Sequence, residues 1–213
     1  MKSILRLIVL FFLLPSCMPL AGLQTGRSLG KGNGVVTLYL QSGNIYLPQD
    51  DTEKIIPFVP TAGAQFSTGV TNRLDLGGKV DISSFGVFQM KYQILGNQKS
   101  QFAASVGAEA GLMLLPLLAG GVFYYASVPV FLSYHPKENL SFHLMPLYSF
   151  GQRYVAKNTN GSQGYKYALD QSGFSYGVSI GRKNKLVFEF GNYGTRIYQP
   201  TRGAVGYTFF FDK

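Results

Sequence analysis

Ser141 and His143 are the residues of this chain whose types and spacing most invite chemistry. Separated by one residue, they share a face of any extended segment, and a serine beside a histidine is the minimal nucleophile-and-base pair of acyl transfer. Glu109 or Glu189 would supply the carboxylate that orients the histidine, and hydrolysis of a lipid acyl ester is the reaction such a set would serve. The plainer reading is a histidine satisfied by polar neighbours inside a fold, so the pair is a weak candidate. Asp50-Asp51-Thr52-Glu53 could bind calcium loosely or meet cations at a lipopolysaccharide surface, although a solvated acidic loop accounts for it as well. Gly30-Lys-Gly-Asn-Gly34 has the glycines of a phosphate cradle but neither the spacing nor the following helix. It reads as part of a flexible leader. With two histidines and one cysteine, the chain is too poor in ligands for a thiolate zinc site. No metal and no cofactor are expected.

The elements that must carry these residues have a period of two. In Gly173-Phe-Ser-Tyr-Gly-Val-Ser-Ile-Gly-Arg182, the residues Phe174, Tyr176, Val178 and Ile180 alternate with small or polar ones. Side chains of a strand point alternately to its two faces, so one face is apolar and the other polar. The alternation recurs in Leu74–Ile82, Phe88–Ile94, Phe102–Leu112 and Leu186–Phe190. Breakers at 71–73, 96–100, 136–139 and 182–185 read as tight turns; 44–57, 83–84, 116–121, 157–171 and 193–201 read as looser connections. Ten strands result, near 34–43, 60–71, 74–83, 85–95, 101–113, 122–134, 140–153, 173–182, 185–192 and 202–211, with eight as the alternative count.

The expected fold is all-β: an antiparallel up-and-down transmembrane β-barrel, since strands can meet lipid only if the sheet closes on itself. Its apolar face would meet hydrocarbon, and Asp75, Lys79, Asp81, Lys91, Glu109, His143, Arg153 and Glu189 would then point into the lumen. There they would form ion pairs or line a small pore or pocket. Two other structures fit parts of the pattern. Residues 112–134 carry no charge and are long enough for a spanning helix, but Pro116, Gly120, Gly121 and Pro129 interrupt them. A soluble lipocalin-like barrel binding an apolar ligand has the same period with the faces exchanged.

Composition favours lipid. Charged residues are 14% of the chain and aromatics 15%, with no tryptophan, against about a quarter charged in soluble domains. The net charge of +9 is scattered, which suits anionic headgroups better than nucleic acid. At the start, Lys2 and Arg6 supply positive charge, and Ile4–Leu14 is an apolar run interrupted only by Arg6. That run is too short to span a core of roughly 30 Å and reads as an export signal over residues 1–16.

Leu14-Pro15-Ser16-Cys17 resembles the lipobox of bacterial lipoproteins, which implies acylation of Cys17 as the new first residue. The organisation expected is a signal peptide at 1–16, a flexible leader at 17–33 and a barrel at 34–213. The leader Leu23–Gly34, the phrases Leu74-Asp-Leu-Gly and Lys91–Ser100, and the aromatic last strand Gly203–Phe211 resemble small outer-membrane β-barrel proteins of Gram-negative bacteria, the OmpA-like and OmpW-like group. Asp212 and Lys213 depart from that group's terminal aromatic. The resemblance implies the cell outer membrane as location, with lipid, lipopolysaccharide and the barrel-assembly machinery as partners and a monomeric state. It implies a structural, small-solute or surface-interaction role and carries no catalytic residue.

Overall fold

The computed structural model describes residues 22–49, 52–82, 85–115, 121–155, 166–194 and 201–211, with only the backbone described at the outer ends of several strands. Ten strands follow one another: β1 (Gly34–Gln49), β2 (Thr52–Gly69), β3 (Leu74–Asp81), β4 (Phe85–Leu95), β5 (Phe102–Leu115), β6 (Gly121–Lys137), β7 (Leu140–Val155), β8 (Lys166–Ile180), β9 (Lys185–Gly194) and β10 (Thr201–Phe211). Each pairs antiparallel with its sequence neighbours, and β1 pairs with β10 from Gly34↔Phe211 to Ser42↔Gly203, closing the barrel. The count is ten, not eight. The uncharged stretch at 112–134 is divided between β5 and β6, with residues 116–120 outside the described set. Two strands, not a helix, occupy its described residues.

Antiparallel closure places Gly34, Phe211 and the short connections at 70–73, 96–101, 138–139 and 181–184 on one rim, called here the terminal rim. These are the turns expected from the breaker clusters. The far rim differs from expectation. Residues 44–57 read as a long loop, yet β1 continues to Gln49 and β2 resumes at Thr52. Pro48 and Pro57 do not end these strands, because proline is tolerated in strands that lack a neighbour on one side. The pairing shows why it is tolerated here. Among the described residues β1 pairs with β10 no further than Ser42 and β2 with β3 no further than Gly63, while β1 and β2 stay paired with each other out to Gln49↔Thr52. With 16 and 18 residues, they exceed the 9–11 or so that a tilted strand needs to cross a bilayer. They project as a two-stranded ribbon. β8 likewise begins at Lys166, earlier than the sequence suggested.

The two faces are those of a membrane barrel. Phe66, Phe88, Phe142, Tyr148, Tyr176 and Phe190 stand on the outside and are exposed, while their strand neighbours Gln65, Gln89, His143, Ser149, Ser175 and Glu189 are buried. A soluble lipocalin-like barrel requires the reverse, so that alternative is corrected: the interior is polar and the exterior apolar. Aromatic rings gather near the terminal rim. Phe102 stacks on Tyr134 with centroids 4.5 Å apart, and Tyr207 meets Phe209 edge-on at 4.8 Å, as in the girdle at a lipid–water boundary. Among the described residues no helix is long and apolar enough to cross a membrane; the crossing is made by strands.

Candidate functional site: a charged lumen occupied by the leader

The inward face of β3, β4, β5 and β9 collects the ionisable residues, because alternate residues of antiparallel neighbours share a face. On β3 and β4, Asp75 stands opposite Lys91 in the ladder, and Lys91 Nζ lies 3.1 Å from the Asp75 carboxylate. Further in, Lys79 Nζ lies 3.4 Å from Glu109. Glu109 also accepts from the Gln89 amide and from the Ser127 hydroxyl, and Gln65 donates to Gln89 at 3.1 Å. This is the arrangement that makes buried charge tolerable: opposite charges paired and the remaining lone pairs hydrogen-bonded. Across the barrel, His143 Nε2 lies 3.2 Å from Glu189. They sit on β7 and β9, two strands apart, with Gly177 of β8 between them in the row. A Cβ on Gly177 would fall 2.5 Å from His143 Nε2 and 2.2 Å from the Phe188 carbonyl oxygen. Its bare backbone is what lets the imidazole reach Glu189.

The structure thus brings Asp75 to Lys91, Lys79 to Glu109, and His143 to Glu189. Asp81 ends β3 on the same face, and the side chain of Arg153 lies outside the described residues. Ser141 is buried on β7, but its hydroxyl forms no hydrogen bond among the described residues, to His143 or to anything else. The imidazole spends Nε2 on Glu189, not on a serine. Nucleophile and base are not assembled. Cys17 and the acidic Asp50-Asp51 lie outside the described residues, and of Thr52 and Glu53 only the backbone is described.

What sequence reasoning missed is the occupant. The sequence reads residues 17–33 as a flexible leader to the first strand; of these, residues 22–30 run inside the barrel, and 31–33 turn at its rim. From β1 at the terminal rim the chain turns back past Gly69, where Gly32 N–H donates to the Gly69 carbonyl at 2.9 Å. It then enters the lumen. Leu29 N–H donates to Asp75, and Ser28 N–H to Gln93 at 3.0 Å. The Lys91 ammonium donates to the carbonyls of Arg27 at 2.9 Å and Thr25 at 3.2 Å. Gly26 donates to Ser133 at 3.0 Å and accepts from Ser105. At the innermost described point, Gly22 and Leu23 N–H each donate to Glu189 at 2.7 Å. Leu23 packs there against Tyr39, Val187 and Ala204.

Two features of the sequence bear on this. Leu23 has apolar partners because Tyr39 and Val187 break the polar rule of the inward face, as do Phe131 and Met145 elsewhere in the lumen. Glycine recurs at 22, 26 and 30, a spacing without meaning in a free leader. Between the segment and the wall of β1, β2, β9 and β10 a cavity of about 50 Å³ remains, bordered by Thr37, Thr208 and Lys185. It has room for water, not for a solute.

No family model matches the chain, and no curated protein does. Solved structures similar to it are outer-membrane barrels at low identity. Ail, the attachment invasion locus protein of Yersinia pestis, is 11% identical with a TM-score of 0.43, over 85% of this chain and 99% of that one. Neisserial surface protein A is 9% identical with a TM-score of 0.42, over 86% and 98%. An outer-membrane channel from Pseudomonas putida F1 is 11% identical with a TM-score of 0.43, over 92% and 100%. At these scores the likenesses add nothing to what the chain's own geometry shows.

Proposed function

We propose that the chain is a non-catalytic barrel of the Gram-negative outer membrane, closed in its resting state and acting as a structural or surface-interaction component. One observation carries this reading: the polar lumen that would conduct a solute is taken up by the chain's own residues 22–30, held by side chains from β3, β4, β5, β6 and β9. The outer membrane is favoured because a closed, outward-apolar barrel preceded by an export signal has its natural solvent there. Short turns on the terminal rim fit a periplasmic side, and the β1–β2 ribbon then projects outward from the cell. Acylation of Cys17, contact with lipopolysaccharide and delivery by the barrel-assembly machinery belong to the same reading.

The test is refolding of the full chain into detergent and then into planar bilayers. Heat-modifiable gel migration without conductance steps is expected. Stable steps from the full chain would sink the closed-lumen reading, and a chain that is soluble and monomeric without detergent would sink the membrane reading.

A further inference from the structure

Resting on that reading, we propose that the lumen is a binding site for an extended, glycine-containing peptide, and that residues Gly22–Gly30 are its resident, displaceable occupant. The wall recognises main chain more than side chains. Five N–H groups (22, 23, 26, 28 and 29) are taken by Glu189, Ser133, Gln93 and Asp75, and three carbonyls (25, 26 and 27) by Lys91 and Ser105. Acceptors and donors are placed as an extended peptide requires, with carboxylate or amide oxygen toward N–H and ammonium or hydroxyl toward C=O.

Size supplies the selectivity. A Cβ on Gly26 would lie 2.5 Å from the Ala103 carbonyl oxygen and 2.8 Å from that of Phe131, both rigid strand backbone. A Cβ on Gly22 would lie 2.5 Å from Met145 Sδ. The occupant must therefore be small at the Gly26 position, where the obstruction is backbone, while at Gly22 only the flexible Met145 side chain would have to move. The occupant's Leu23 side chain fills the apolar niche of Tyr39 and Val187.

Displaceability follows from the wall itself. The charges that grip the segment also have partners on the wall: Asp75 with Lys91, and Glu189 with His143. Departure of the segment leaves Asp75, Lys91, Glu189 and His143 each with its wall partner, and water can replace the lost main-chain partners, so none of these four is stranded. What the segment gains in hydrogen bonds is of the same order as the entropy lost in ordering it. Such a segment opens and closes as a local unit. Its departure would leave a ten-strand lumen, wider than the eight-strand kind that side chains can fill.

The experiment compares the full wild-type chain with the Gly26→Val variant in planar bilayers, each first shown to be heat-modifiable. Valine at 26 blocks entry of the segment while leaving every wall residue in place. Expected is a silent wild type and a variant with conductance steps, which the synthetic nonapeptide Gly-Leu-Gln-Thr-Gly-Arg-Ser-Leu-Gly suppresses at least tenfold and a scrambled nonapeptide does not. A folded variant that stays silent, or one that conducts regardless of the nonapeptide, overturns the inference while leaving the closed-lumen reading intact. A conducting wild type fails that reading instead.

Hydrogen exchange on the wild type serves if the variant does not fold. The amides of Gly22, Leu23, Gly26, Ser28 and Leu29 should exchange as one unit, at least tenfold faster than those of β1 and β10. Exchange as slow as the strands overturns displaceability.

Discussion

Single atoms decide the lumen. Gly177 is a position where even a methyl group has no room, because His143 and the Phe188 carbonyl already occupy the space. Gly177→Val should push the imidazole off Glu189 and cost about 1–3 kcal/mol, the usual range for overpacking. Urea titration in detergent followed by far-ultraviolet circular dichroism would read it, since the chain has no tryptophan to report by fluorescence. Asp75→Ala removes the charge partner of the buried Lys91 ammonium, leaving it only carbonyl acceptors, and removes the acceptor of Leu29 N–H; about 3–5 kcal/mol of destabilisation is expected. Asp75→Asn, which keeps a hydrogen-bond acceptor, should cost less. Equal losses for the two variants would show that the charge itself matters little. For Ser141 and His143, unchanged acyl-ester release after His143→Ala is expected, because no hydrogen bond joins the pair.

At the scale of elements, lipid-facing strands should feel charge according to depth. β4 spans 11 residues, about one bilayer crossing, so its centre lies near the midplane. Met90 is at that centre and faces outward; Ile94 faces outward near the terminal rim. Met90→Arg should cost about 2–4 kcal/mol, and Ile94→Arg about 0–1 kcal/mol. The temperature of the heat-modifiable transition would rank the two. A flat response along β4 would contradict the lipid-facing assignment. The strands were legible in the sequence wherever one face met lipid and the other the lumen, as in Phe174–Ile180. They were not legible beyond the barrel. Among the described residues the outer part of the β1–β2 ribbon is paired on one side of each strand only, so residues 45–49 and 52–56 form a ladder although 44–57 carries the prolines and acidic residues of a loop.

Considered whole, the molecule is held in the bilayer by its closed belt, which bears on Cys17. Residues acylated there would add an anchor to a body that is already anchored. Cys17→Ala should abolish incorporation of labelled palmitate yet leave the folded barrel in the outer-membrane fraction. Loss of the barrel from that fraction would make the lipid, and not the belt, the principal anchor.

Sequence alone determined the period, the tight turns and the residues that share the inner face, because each depends on neighbours a few positions apart; closure of the sheet decided that the strands are ten and not eight. Asp75, Lys79, Lys91, Glu109, His143 and Glu189 were placed on one face by alternation. Only closure of the sheet decided which of them meet, since His143 reaches Glu189 across a third strand at Gly177. The occupancy of the lumen was likewise a tertiary matter. Residues 22–30 have no period and few apolar side chains, and they are held mostly through their backbone, which every sequence shares, with the side chains of Gln24, Arg27 and Ser28 adding bonds to the wall. A segment recognised by its main chain leaves almost no mark on its own sequence beyond the glycines that let it fit.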